Sequence, residues 1–221
     1  MRTLVIHPND STTDFLTDIY SGKNWEVIRG PIKKEELAAR IADHDRIVML
    51  GHGLPSGLIG HGGLVIDESM AHLLRGRKCV CIWCNADQYV LRHGLSGFYT
   101  GMFVSEPAEA RLFGLPIDAD PIKESNRLFA VAVRDSIFKE NMLELTRQAY
   151  NSKTNPVIDY NRNNLYSRDA LIEDWQGPGG GAGHDYEIDP VDNHVNDKSI
   201  EQAHAIGSIL KVGKNKYEKN Q

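Results

Sequence analysis

The chain has 221 residues, 41% hydrophobic and 25% charged, with a formal net charge of -5 and a pI near 6.0. That size suits one α/β domain with an appendage, and the mild acidity gives no reason for a polyanionic partner, so nucleic acid is not expected as the main ligand. No apolar stretch approaches the roughly 20 residues that a bilayer span needs, and no membrane partner is expected.

The elements follow one another as short apolar runs and amphipathic stretches. Thr3–Ile6 reads as a first strand, too short for the core of a secretory signal, and a reducing, cytoplasmic setting is the expectation. Asp10-Ser11-Thr12-Thr13 offers capping side chains ahead of Phe15, Leu16 and Ile19, which have helical spacing. A Ser-Thr run after a first strand also resembles the phosphate loop of flavodoxin-like binders, but a helix cap accounts for it. Residues 25–28 form a second strand, 33–42 a strong helix, and 47–50 a third strand that stops before Gly51-His52-Gly53. Residues 54–63 are a Gly-rich excursion with the makings of a small hairpin.

A short helix follows over 67–74, then a fourth strand over 80–83 that stops at Cys84-Asn85-Ala86-Asp87. Residues 98–104 give a fifth strand and 106–113 another short helix. Asp120-Pro121 opens a long helix that carries Phe129, Val133 and Ile137 and is expected to run to about Tyr150. Strands alternating with helices imply right-handed crossovers. The predicted fold is therefore α/β, three-layered, with a mainly parallel sheet flanked by helices and strand order 2-1-3-4, strand five beyond. This domain takes residues 1–150. Residues 151–221 read as a polar, partly flexible C-terminal extension, with an Asn-rich stretch at 155–164, a Gly-rich linker at 176–183 and one more helix over 199–210.

The chain has three cysteines, Cys79, Cys81 and Cys84. An odd number packed this closely is not a disulfide framework. Cys79 and Cys81 share one side of the fourth strand and read as small core residues. Cys84 lies past the apolar run and breaks that phase. Joining the three with His52, His61, His72 or His93 in a zinc site is the weaker alternative, because two of them lie inside an apolar strand. No metal and no cofactor is expected.

Reactive side chains at the ends of two successive strands stand where an open α/β sheet binds ligands. An imidazole beside a thiol promotes the thiolate, so His52 and Cys84 make a base and a nucleophile. The N–H groups of Gly53 and Cys84 are candidate donors to an oxyanion. Asn85, Asp87, Ser105 and Glu106 are candidate substrate-binding or supporting residues. For each, a bland role is available: Asp87 as an acid in the first turn of a helix, Ser105-Glu106 as a helix start. Ser125 and Asn126 reach the site if the long helix packs behind it. His184-Asp185 reads as part of a solvated linker.

An apolar strand ending in His-Gly, followed by an apolar strand ending in Cys, resembles the pattern of the caspase-like cysteine peptidases, in a divergent bacterial or phage-type form. The resemblance spans roughly residues 3–104, and its specific part is the two strand ends. It implies the caspase-hemoglobinase fold, His52 as general base, Cys84 as nucleophile, Gly53 as an oxyanion-hole donor, and a peptide or protein substrate. Trp83 stands where those peptidases often have a small residue, and Asn85-Ala86-Asp87 departs from the caspase pentapeptide. The functional expectation is a cysteine-dependent peptidase or amide hydrolase. The alternatives are a non-catalytic doubly wound module that binds a nucleotide or protein on the same rim, and a non-peptidase thiol amidase.

Overall fold

The structure, a computed structural model, describes residues 1–169. The Gly-rich linker at 176–183, the His184-Asp185 pair and the helix expected over 199–210 lie outside the described residues.

Strand β1 (Thr3–Ile6) leads into a 3-10 helix over Ser11–Ile19, whose first turn is capped by the Asp10 carboxylate accepting from the Thr12 N–H. Strand β2 (Glu26–Ile28), helix α1 (Lys34–Ala42) and strand β3 (Arg46–Leu50) come next. The Gly-rich excursion is a small antiparallel sheet of β4 (Gly53–Leu54), β5 (Gly57–Gly60) and β6 (Gly63–Ile66). The short helix α2 (Ala71–Leu74), strand β7 (Lys78–Ile82), helix α3 (Ala86–His93) and strand β8 (Gly97–Thr100) complete the alternating part. Helices α4 (Pro107–Leu112), α5 (Ala119–Ser136), α6 (Met142–Ala149) and α7 (Pro156–Asn163) then precede strand β9 (Leu165–Arg168).

The main sheet has the order β2-β1-β3-β7-β8-β9. Its first four pairings are parallel, and only β9 runs antiparallel, along the far edge of β8. The fold is thus α/β with a mainly parallel sheet flanked by helices, and the strands up to β8 fall in the order expected from the sequence. Strand β9 pairs with β8, so α7 and β9, from beyond residue 150, belong to the same unit.

Alternation along the strands builds the two outer layers. Leu4, Ile6, Ile47, Met49, Cys79 and Cys81 point to one face, against Leu37 and Ile41 of α1 and Ala86 and Val90 of α3. Val5, Val48, Leu50, Val80 and Ile82 point to the other, against Leu16 and Ile19 of the 3-10 helix and Phe129 and Val133 of α5. Both faces are covered, as the near-continuous apolar runs of a parallel sheet require. Cys79 and Cys81 are accordingly core residues facing α1 and α3. Burial pushes both thiols up, Cys79 to about 12.

The long helix expected to reach Tyr150 stops at Ser136, and α6 starts at Met142. Phe138 between them has φ +63. That left-handed backbone is costly for a non-glycine residue, but it lets the ring pack edge-on to Trp25 at 5.9 Å and under the Arg46 guanidinium at 4.6 Å. Ser136 and Thr146 bond their hydroxyls across the turn at 2.7 Å. The fifth strand is also shorter than expected, ending at Thr100, before a strap that carries the chain to α4.

His7, just past β1, is fully buried and bonds Tyr20 Oη at 2.9 Å and Thr13 Oγ1 at 3.3 Å. Burial, helped by the Arg29 charge, lowers its pKa from 6.5 to about 4. The unfolded chain therefore takes up a proton below pH 6.5 that the native state refuses, and stability falls as pH drops through that window to about 4. The loss from this one group is about 3 kcal/mol. Urea titrations at pH 7 and pH 4.5 should show it, and His7→Gln should lose less stability than the wild type between the two. An equal loss in both would remove His7 as the cause.

Candidate active site

β3 and β7 pair in parallel with Leu50 opposite Ile82. His52 and Cys84 each lie two residues beyond that pair, so the register sets them at equal offsets past neighbouring strand ends. The Gly51 N–H donates to Ile82 O at 3.0 Å and ties the two ends together, and φ +141 at Gly51 starts the turn that carries His52. His52 is held further by the Ile59 N–H, which donates to its carbonyl at 2.8 Å. On the β7 side, the Trp83 N–H donates to Thr100 Oγ1 at 3.2 Å while that hydroxyl donates to Trp83 O at 2.8 Å. Asn85 follows with φ +64, a left-handed elbow that Asn tolerates better than most residues. Cys84 is presented between the anchor and the elbow.

Both side chains line one cavity of about 20 Å³, closed by Thr13, Trp83, Phe103 and Ser105. That is room for about one water. A larger cavity of about 540 Å³ lies at the other end of the strands, around Lys78, Gly97 and Asn141, with no nucleophile and base facing each other.

His52 Nε2 lies 2.6 Å from Thr12 Oγ1, and Thr12 Oγ1 donates to Asp10 Oδ1 at 2.7 Å. Thr12 has a single hydroxyl proton, and the ionised Asp10 carboxylate can only accept. With that proton on Asp10, Thr12 Oγ1 accepts from the His52 Nε2–H, and Nδ1 is left as the basic nitrogen. The helix cap of the 3-10 segment thus also orients the imidazole.

Cys84 is 8% exposed. Its S–H has two acceptors, Phe103 O at 3.4 Å and Glu109 Oε1 at 3.8 Å. Burial first and the Glu109 charge second push this thiol well above the ordinary range. Glu109 is itself buried, and its Oε2 accepts from Ser105 N at 2.7 Å, Ser105 Oγ at 3.1 Å and Glu106 N at 3.1 Å. Glu106, the N-cap of α4, is pushed up by burial and by Glu109, while His52 pulls it down. Behind this strap, Asn126 of α5 donates to Ser105 O at 2.9 Å, and Asn161 of α7 bonds both the N–H and the carbonyl of Val104.

Of the residues singled out in the sequence, the structure brings His52, Cys84 and Ser105 to one cavity and sets Glu106 within electrostatic reach of His52. Asn126 reaches the site through Ser105, whereas Ser125 turns to Tyr150 Oη at 2.6 Å. Asn85 and Asp87 are not among the residues lining the cavity. Asp87 sits in the first turn of α3, pushed up by burial, with Oδ1 buried and without a hydrogen-bond partner among the described residues. The Cys84 N–H also has no such partner, while the N–H groups of Trp83, Asn85 and Ala86 on either side are all bonded. Among the described residues, no three His, Cys, Asp or Glu side chains cluster as metal ligands.

Two residues with direct contacts to the pair were not seen in the sequence. Thr12 was visible only as a cap. Glu109 carried one signal, the Glu106-x-x-Glu109 spacing of a capping box, which says nothing of the cysteine it also touches.

Gly53 has a steric task. A Cβ there would lie 1.9 Å from Trp83 Cδ1, and the indole N–H donates to Leu54 O at 3.2 Å. The small sheet is thus laid against the residue that precedes Cys84. Gly53→Ala should displace β4 or the Trp83 ring, lower stability by about 2–4 kcal/mol and blue-shift or red-shift the indole fluorescence. A variant with wild-type melting and emission would show that the contact is soft.

No protein-family model matches the chain, and no curated protein does. Among solved structures, the Trp repressor binding protein from Bacillus subtilis is similar at a TM-score of 0.39 and 10% identity, over 61% of this chain and 99% of that one. A likeness at that level carries no argument. None of the helices described is long and apolar enough to cross a membrane.

Proposed function

We propose that the protein is a cysteine-dependent hydrolase of amide bonds, with a peptide or protein as substrate, and that its kinship is to the caspase-like peptidases. The observation that carries this is the shared cavity at the ends of β3 and β7, lined by Cys84 and by a His52 whose Nε2 is tied to Thr12 and whose Nδ1 is the basic nitrogen. In the reaction, Nδ1 takes the Cys84 proton and the sulfur attacks the carbonyl carbon. The N–H groups of Cys84 and Gly53 hold the oxyanion. The imidazolium returns its proton to the leaving amine, and water then cleaves the thioester with His52 as base. Asp10, through Thr12, holds the imidazole in the working tautomer. The free thiols Cys79, Cys81 and Cys84 suit a reducing, cytoplasmic setting.

One observation favours a second reading. The thiol is protonated, bonded away from His52, and the cavity admits about one water. A doubly wound module that binds a partner on this rim, without chemistry, needs nothing more open than this.

A peptide library incubated with wild type, Cys84→Ala and His52→Ala separates the two. Hydrolysis by the wild type should drop by about 10³-fold or more in either variant. Cleavage that survives Cys84→Ala, or a wild type inert toward every peptide, would sink the peptidase reading. Iodoacetamide labelling resolved by mass spectrometry supplies a second readout. Cys84 should label faster than Cys79 and Cys81, and His52→Ala should slow it.

A further inference from the structure

The sulfur of Cys84 is held by the residue that also caps the next helix. Glu109 Oε2 is fixed by three donors from residues 105 and 106, and this fixes its other oxygen, Oε1, at the thiol. The carboxylate cannot swing away without giving up the capping box of α4. Phe103 and Ser105, which close the cavity, belong to the same strap, and Phe103 supplies the second acceptor for the S–H. Strap, helix cap and thiol are therefore one hydrogen-bonded unit. It leaves no space for an amide carbonyl beside the sulfur.

We propose that Glu109 is a latch on Cys84: a positioning residue whose carboxylate holds the S–H as an acceptor, until that carboxylate gives up the cap of α4, turns away and frees the thiol for the imidazole. This rests on the hydrolase reading above and adds to it a closed resting form and the group that closes it. A carboxylate beside a sulfur opposes the thiolate by like charge. The same carboxylate, once withdrawn, no longer competes with His52 for the proton. The charged and titratable groups that bear on Cys84 are Glu109 and Glu106 from α4 and its cap, His52 across the cavity with Asp10 behind it, and Tyr160 of α7. Burial, and next the nearby Cys84, push Tyr160 up to about 12.

The test is the pH dependence of Cys84 alkylation by iodoacetamide in the full chain, with each cysteine resolved by mass spectrometry. Glu109→Gln can keep the capping box, because a Gln oxygen accepts the same N–H bonds. It turns an amide N–H toward the sulfur in place of a negative charge. The midpoint of the Cys84 profile should fall by about one pH unit or more, and the rate at pH 7.5 should rise roughly tenfold. Glu106→Gln, at a partly exposed position, should move the midpoint the same way by a smaller amount. It stands in should Glu109→Gln fail to fold by circular dichroism. A midpoint that stays put or rises in a folded Glu109→Gln, or in Glu106→Gln in its place, overturns the latch.

Adding His52→Ala to Glu109→Gln keeps the two ideas apart. If Glu109→Gln speeds labelling and the added His52→Ala slows it again, latch and dyad both stand. If the added change has no effect, the latch stands and the dyad falls.

Discussion

The parallel pairing of β3 with β7 is the constraint on which the rest depends. Leu50 opposite Ile82 makes the two strands stop level with each other. Neighbouring strands lie about 4.8 Å apart, so chains that leave a level edge start side by side, and here the residues two steps beyond it line one cavity. A slip of one residue would separate His52 from Cys84. It would also turn Cys79 and Cys81 from the α1–α3 face to the α5 face, against the packing of the whole core. Hydrophobic packing along the strands therefore fixes the geometry at their ends. The polar anchors, Gly51 N–H to Ile82 and Thr100 to Trp83, then set the turns.

The features legible in the sequence were those that depend on a local pattern. Apolar runs of four or five residues marked β1, β3 and β7. The two-residue period put Cys79 and Cys81 on one face and left Cys84 out of phase. The largely parallel sheet followed from alternation with helices and from the handedness of crossovers. What was not legible depends on distant contacts. The break after Ser136 exists because Phe138 packs on Trp25 and Arg46, residues about a hundred positions away in the chain. Strand β9 has the polar sequence Leu165-Tyr166-Ser167-Arg168 and becomes a strand through pairing with β8 and the stacking of Tyr166 on Tyr99 at 5.8 Å. Glu109 looked like any acid in the first turn of a helix, and only the fold brings it to Cys84.

The two reactive side chains are each governed by a helix cap, and the caps act in opposite senses. At the start of the 3-10 helix, Thr12 Oγ1 accepts from the His52 Nε2–H and donates to Asp10, which leaves Nδ1 as the unprotonated nitrogen. At the start of α4, Glu109 and Glu106 place negative charge beside the sulfur and hold its proton on. On the proposed hydrolase reading, one cap prepares the base and the other withholds the acid it would deprotonate.

Burying the Glu109 carboxylate is tolerable only because three donors satisfy one oxygen and a thiol sits at the other. Those donors all come from residues 105 and 106, so the bonds that satisfy the carboxylate are the bonds it must give up to leave the sulfur. Opening therefore has a bounded cost. Losing a helix cap costs roughly 0.5–2 kcal/mol, and each further hydrogen bond exchanged for water costs about 1 kcal/mol net. The sum, on the order of a few kcal/mol, lies within what a bound peptide returns through a handful of backbone hydrogen bonds and one buried side chain. On the proposed latch, a closure of that size protects the thiol in the free protein and yields to a ligand that fits the rim. The strap is itself anchored by apolar contacts, since Phe103 and Val104 are buried and Phe103 packs on Phe129 at 4.5 Å, so the part of the site held by hydrogen bonds alone is the Glu109 carboxylate with the cap it makes.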